Sequence, residues 1–360
     1  MTTPVQPELR LRHADAADRA RWDDFVAARP EGDVLQRWAW AEASMSVGER
    51  WARLLLVDPD ERVRGLAQVQ IRRTLLGRSV LYAPHGPLWE RGSDGQAAQL
   101  DALLAGLADL ARAEHGIVVK LDPRGEGDGA AAAAELRRRG LRPVMDYLQA
   151  PTTRVVELLD GGEQLMAGWK KEARNAVRRA EREGIATAVH RTPDEGALAG
   201  FHGLLRQTAG RGHFRVRPAA FLQRLAAELS ASGDWWLVLA EWQGEIVAGA
   251  VAPQVGDRAY YLYAGSLRGE GAGRRWAGYA VMGRLMRELA AAGVRTLDLW
   301  GVREPGDLTV EASWAGHSMF KLRFGGEPLR QPHMLDLVVD PTWDRLRRAR
   351  ERALGAFSRR

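Results

Sequence analysis

Residues 235–263 read WWLVLAEWQGEIVAGAVAPQVGDRAYYLY. Two apolar runs, 235–241 and 246–253, flank the turn Trp242-Gln243-Gly244-Glu245, and a third run covers 258–263. The runs are short and rich in Val, Leu, Trp and Tyr. Each therefore reads as a strand, and the first two as a hairpin. A glycine-rich loop follows, then helical spacing from about Arg275 to Ala292, then the apolar stretch Thr296–Trp300. The order is hairpin, strand, long helix, strand.

The first half of the chain repeats that order. Two short helices are expected at 16–28 and 34–46, and then Trp51–Val57 and Val63–Arg72 pair across Asp58-Pro59-Asp60. Ser79–Tyr82 is the next strand and runs into Pro84-His85-Gly86-Pro87. Leu100, Leu103, Leu104, Leu107 and Leu110 mark one face of a helix over Gln96–Glu114, and Ile117–Leu121 returns as a strand ending in Asp122-Pro123. A small helix, Ala131–Arg139, closes the half. No residue-level repeat accompanies the match, so the repeat is one of architecture. The expected division is 1–150 and 151–332.

Bulk properties agree. A chain of 360 residues with 46% hydrophobic content suits two α/β domains. The net charge of +6 and pI of about 9.9 favour an anionic partner without naming one. With no cysteine there is no disulfide, no thiolate metal site and no thiol nucleophile. The eight histidines are scattered, without metal-ligand spacing, so no metal is expected. No run approaches a membrane span, and the N-terminus has no apolar signal core, which points to the cytoplasm.

The 52 basic residues include only four lysines. One is Lys321, in Trp314–Gly326, WAGHSMFKLRFGG, between Phe320 and Phe324. Where arginine is the habitual cation, a lysine suggests a need for a compact ammonium. Lys171, Arg174, Arg178 and Arg182 recur at three- and four-residue spacing on an expected helix Glu163–Glu183, whose apolar stripe is Met166, Trp169, Ala173, Val177 and Ala180. That basic line either follows phosphates, with binding that weakens in salt, or is a solvated face. Helices are also expected near 194–209 and 218–231. Pro341–Arg360 reads as a basic amphipathic helix with Trp343, Leu346, Leu354 and Phe357 inward; it either packs back on the first domain or lies on a membrane surface.

Eight segments in order resemble the FemABX family of aminoacyl-tRNA-dependent aminoacyltransferases, which build peptidoglycan cross-bridges. They are LQRWAWAE, YAPHGPLW, KLDPRG, GWKKEARNAVRRAEREGI, LLRQTAGRGHF, YYLYAGS, LDLWGV and MFKLRFGG. The resemblance covers most of the chain. It implies an α/β (α+β) fold of two tandem GNAT-like domains, with residues 333–360 returning to the first. Some members insert a coiled-coil arm, and no stretch here is long or heptad-patterned enough for one.

The implied reaction is aminolysis of an aminoacyl-tRNA ester by an amine of a peptide, most directly a peptidoglycan precursor. Aminoacyl-tRNA is then a co-substrate and no cofactor is needed. The resemblance makes Lys321 the oxyanion stabiliser. Asp298, at the end of a strand of the second domain, either accepts a proton from the attacking amine or is structural. The resemblance also makes Arg211 a phosphate contact, and Tyr82, Tyr261, Tyr263 and Phe320 candidates to line the acceptor groove. Lys171, Arg174, Arg178 and Arg182 become the tRNA contacts. The family's early phosphate-binding lysine has no counterpart near WAWAEAS, which favours a lipid-linked or different acceptor over a UDP-linked one. The expected location is the cytoplasm, with peripheral contact at the inner membrane face as a further option.

Three rivals stand beside this. The same tRNA-dependent chemistry can act on a secondary-metabolite peptide. Arg268–Gly273 fits the coenzyme A pyrophosphate loop of GNAT enzymes, implying an acyl-CoA N-acyltransferase. A catalytically idle nucleic-acid-binding protein on the same fold is the third.

Overall fold

The computed structural model describes residues 8–125, 129–145, 147–158, 163–212, 215–269, 271–307 and 314–357. The chain divides into two compact units, Met1–Gln149 with Gln331–Arg360, and Ala150–Arg330.

The first unit is one mixed sheet. Its strands run in the order Arg10–His13, Arg50–Val57, Val63–Arg73, Ser79–Ala83, Gly116–Leu121, Leu335–Val338 and Arg142–Pro143, with Leu88–Trp89 paired to Val63–Arg73. Ser79–Ala83 and Gly116–Leu121 are parallel, joined by the helix Gln96–Ala113. Leu100, Leu103, Leu104 and Leu107 of that helix lie buried with Leu54, Ala67, Val69 and Leu81 of the sheet. Gln36 braces the other end of the hairpin. Its amide donates to the Pro84 carbonyl at 2.6 Å and accepts from the Gln68 N–H at 2.9 Å.

The closing helix, Pro341–Phe357, belongs to this unit. Among its described side chains the buried one is Asp344, bonded to Arg142 and Arg347 at 2.6 Å each and paired with Arg348 at 3.1 Å. Leu346, expected inward, is 56% exposed, because those ion pairs orient the helix. The side chains of Leu354 and Phe357 lie outside the described residues.

The second unit carries two sheets. One orders Tyr263–Ser266, Glu245–Val251, Leu237–Trp242 and Ala186–His190; the other orders Gln254–Val255, Arg258–Tyr260, Thr296–Gly301, Thr152–Glu157 and Glu327–Arg330. The expected single strand 258–263 is therefore two. The chain crosses between sheets where the Tyr261 N–H donates to the Asp298 carbonyl at 2.7 Å and the Leu262 N–H donates to Val251 at 3.1 Å. A local pattern of alternating apolar residues cannot report that change of partner.

The helix Ala272–Ala291 packs on these strands through Val281, Met282, Leu285, Met286 and Leu289. Both units thus show the order hairpin, strand, long helix, strand, each in its own sheet system.

The expected helix Glu163–Glu183 is also two, Glu163–Ala167 and Lys171–Arg182. Gly168 weakens it there, and Trp169 turns its indole against Phe324 at 5.2 Å between centroids. Lys170 is extended, with its N–H on the Arg323 carbonyl at 2.8 Å. Ala173, Val177 and Ala180 then face the core, as the stripe predicts, and Ala176 joins them. Among the described residues no helix is long and apolar enough to cross a membrane.

Candidate active site

Lys321 lies on the helix Ala315–Leu322, not on a strand. Just beyond its end come Gly325 and Gly326, both with positive φ, +83° and +84°. A Cβ on Gly326 would stand 2.5 Å from the Val155 carbonyl oxygen. We expect Gly326→Ala to lower the second unit's stability by about 1–3 kcal/mol, from backbone strain and the clash together. An unchanged urea midpoint would remove this assignment.

Phe320 anchors the helix by packing on Tyr279 and Phe324, with centroids 5.0 and 5.4 Å apart. It is half-buried and braces the lysine's helix against this aromatic cluster.

Lys321 Nζ donates to the Gly301 carbonyl at 2.9 Å and stands 5.9 Å from the Tyr261 ring centroid. That carbonyl is presented by an irregular strand end. The pairing of Thr296–Gly301 with Thr152–Glu157 slips between Asp298 and Gly301, and Trp300 takes φ 57°. Gly301 has no room for a side chain, since a Cβ would meet Trp314 at 2.5 Å.

Asp298 is buried. Its Oδ1 accepts from the Thr153 hydroxyl and, at 2.6 Å, from the Trp300 N–H. Burial lowers the Lys321 ammonium to about 8, and the Asp298 charge works against that shift. His317, one turn earlier on the same helix, is exposed; partial desolvation first, and the Lys321 charge second, lower its imidazole. At neutral pH Lys321 is thus an ammonium.

Tyr261 is buried beside this group, and burial raises its hydroxyl pKa. The other candidates fall elsewhere. Tyr263 is half-buried edge-on to Phe221 at 6.4 Å. Arg211 lies in the last turn of the helix Glu195–Gly212, not in a turn between elements, and donates to the Ser266 carbonyl and to Thr208 at 3.2 Å.

On the basic line, Lys171, Arg178 and Arg182 are exposed. Arg174 instead spends its guanidinium on the Trp169 carbonyl and, at 3.3 Å, on Ala167, capping the broken helix.

Tyr82 belongs to the first unit. It donates to Asp122 at 2.6 Å and accepts from the Gln149 amide at 3.1 Å. Asp122 also accepts from the His85 N–H at 2.5 Å and is raised to about 6 by its burial. His85 in turn pairs with Asp33, which Arg124 reaches at 3.2 Å.

Thr153, Gly301, His317, Asp33 and Arg124 escaped the sequence reading. His317 was inside the quoted segment, and its spacing of four from Lys321 was the available signal. The others depend on pairings across long stretches of chain.

The glycine loop Arg268–Gly273 leads directly into the Ala272–Ala291 helix, and Trp242 closes on Gly271, 2.9 Å from where a Cβ would be. Glu270 lies outside the described residues. Among the described residues no group of three or more His, Asp or Glu side chains is placed to hold a metal.

Residues 167–308 match the family model of an acetyltransferase (GNAT) domain. The lipid II:glycine glycyltransferase of Staphylococcus aureus is 30% identical over 226 residues, covering 60% of this chain and 52% of the relative. The chain therefore spans about half the length of the curated relatives it matches. The crystal structure of FemX matches with a TM-score of 0.79 at 21% identity, over 94% of this chain and 99% of that one. A tandem GNAT protein from the clavulanic acid biosynthesis pathway matches at 0.57 and 13% identity, over 93% and 99%. The chain resembles the FemABX family in sequence, and its fold is the mixed α/β, tandem GNAT-like fold.

Proposed function

We propose that this chain moves an amino acid from an aminoacyl-tRNA ester to an amine of a peptide acceptor, first of all a lipid-linked peptidoglycan precursor. The observation that carries this reading is the Lys321 ammonium, held by the Gly301 carbonyl beside buried Asp298. The likeness to a lipid II:glycine glycyltransferase supports the acyltransfer and the lipid-linked acceptor. The tRNA donor rests on the family resemblance.

The acceptor nitrogen attacks the ester carbonyl, and a C–N bond forms. The carbonyl oxygen becomes an oxyanion. The C–O bond to the ribose then breaks, the nitrogen gives up a proton, and the ribose oxygen gains one. The ester is already activated, so no nucleophilic side chain is required. Lys321 has three N–H donors, and Gly301 uses one. The others can meet the oxyanion, which is the charge that develops only during reaction. Asp298 already accepts two hydrogen bonds, and its charge favours the ammonium form of Lys321.

Incubation with a pool of charged tRNAs and with lipid-linked and soluble precursors, read by mass spectrometry, tests this directly. Acceptors extended by one amino acid are expected. An acyl-CoA reading is favoured by the GNAT match and by the glycine loop at a helix start. Product from acetyl-CoA, with none from any charged tRNA, would replace the first reading with the second.

The pH dependence has a definite sign. Lys321 is charged below about 8 and loses its proton above it. The rate ratio of wild type to Lys321→Met should therefore shrink as pH rises through that value, and taking the ratio cancels the acceptor's own titration. A ratio that grows with pH would make Lys321 a base instead.

A further inference from the structure

We propose that the hairpin tip Arg72–Arg78 and the outer face of the Pro341–Phe357 helix form one surface that docks the first unit on an anionic phospholipid bilayer. Only its use, delivery of the chain to a lipid-linked acceptor, rests on the reaction proposed above.

The tip reads RRTLLGR. Leu76 is 81% exposed and sits at φ 60°, ψ 30°, a left-handed conformation that costs a leucine strain. The Thr74 N–H closes the turn on the Arg78 carbonyl at 2.7 Å, which holds Leu76 outward. Neither packing nor backbone preference accounts for a leucine there, whereas insertion into an apolar phase does. Arg72 and Arg73 flank it and are exposed.

Arg78 links the tip to the helix. Its guanidinium lies 4.7 Å from the Trp343 ring centroid and 3.5 Å from Asp340. Leu346 is 56% exposed, and Arg345 and Arg350 beside it are exposed. The opposite side of this helix is seated by the buried Asp344 ion pairs, so Leu346 faces water for a structural reason. Two outward leucines thus stand among Arg72, Arg73, Arg78, Arg345 and Arg350. The carboxylates nearby, Asp340 and Glu351, are paired with Arg78 and Arg347. A nucleic acid would use the arginines but has no use for the leucines. A bilayer with anionic headgroups uses both.

Flotation of the full chain with phosphatidylcholine vesicles containing about one third phosphatidylglycerol tests the surface. The chain should float with these vesicles, less so in high salt, and not with phosphatidylcholine alone. Leu76→Asp and Leu346→Asp should each cut the bound fraction about tenfold, with thermal unfolding unchanged, since both positions are exposed. Wild type that does not float, or variants that float as well as wild type, would overturn the proposal. So would RNA binding that Leu76→Asp leaves intact in the absence of flotation.

Turnover with a water-soluble acceptor should be the same in wild type and Leu76→Asp. Lost flotation with that turnover intact confirms the docking surface as separate from the chemistry. Flotation without transfer to any acceptor strikes only the proposed reaction.

Discussion

Replacing Lys321 with methionine should leave the second unit folded and reduce transfer about 10²- to 10³-fold, the usual loss when one preorganised oxyanion donor is removed. The folding side follows from burial. The folded chain binds this proton less tightly than an ordinary lysine does, so the ammonium is a net cost to folding below about pH 8. Stability contributed at this position should rise as pH climbs from about 8 toward the ordinary lysine value, and that slope should vanish in the methionine variant. Methionine keeps the length of the side chain and its contacts along the helix. What it gives up is the hydrogen bond to Gly301 and the charge facing Asp298. Single-turnover transfer together with urea unfolding, across pH, reads both quantities. Transfer at the wild-type rate in a folded Lys321→Met chain would end the proposed role, and a collapse of folding would make the lysine structural.

Asp33→Ala should destabilise the first unit by about 3–5 kcal/mol, the cost of breaking a buried ion pair from one side. Asp33 is fully buried, accepts from the Leu35 N–H at 2.8 Å, and meets both His85 and Arg124. Without it the Arg124 guanidinium, 1% exposed, loses a buried counter-charge.

The pH signs oppose one another. His85 is raised by Asp33 against its burial, so its contribution is present at low pH and is lost as pH rises through its folded value. Asp33 is lowered by His85 and Arg124 against its burial, so its contribution is present at high pH and is lost as pH falls through its folded value. Wild-type stability of this unit should therefore pass through a maximum that Asp33→Ala flattens. Urea unfolding of the two chains across pH measures this. A loss below about 1 kcal/mol would mean that the site relaxes and takes in water.

Local rules carried most of the element reading. The leucine stripe of Gln96–Ala113 and the alanine-valine stripe of Lys171–Arg182 are buried where their spacing puts them. The hairpins pair across the turns their residues demand. Local rules failed where a residue's partner is remote. The Trp169 break depends on Phe324, more than 150 positions later. The crossing at Tyr261 depends on Asp298. The tail helix reads as amphipathic, yet it is seated by Asp344, since a buried carboxylate with three arginines outweighs the orientation of one leucine.

By itself the sequence determined the repeated order of elements, the two α/β halves and the resemblance that marked Lys321. Those rest on periodicity and on short motifs, both of which are properties of neighbours along the chain. Only the tertiary structure decided what Lys321 faces. The Gly301 carbonyl that bonds it and the Asp298 carboxylate that acts on its charge, itself held by Thr153, are set by strand pairing across about 150 residues. A lysine's charge state depends on the groups that exclude water from it, and no spacing rule records those.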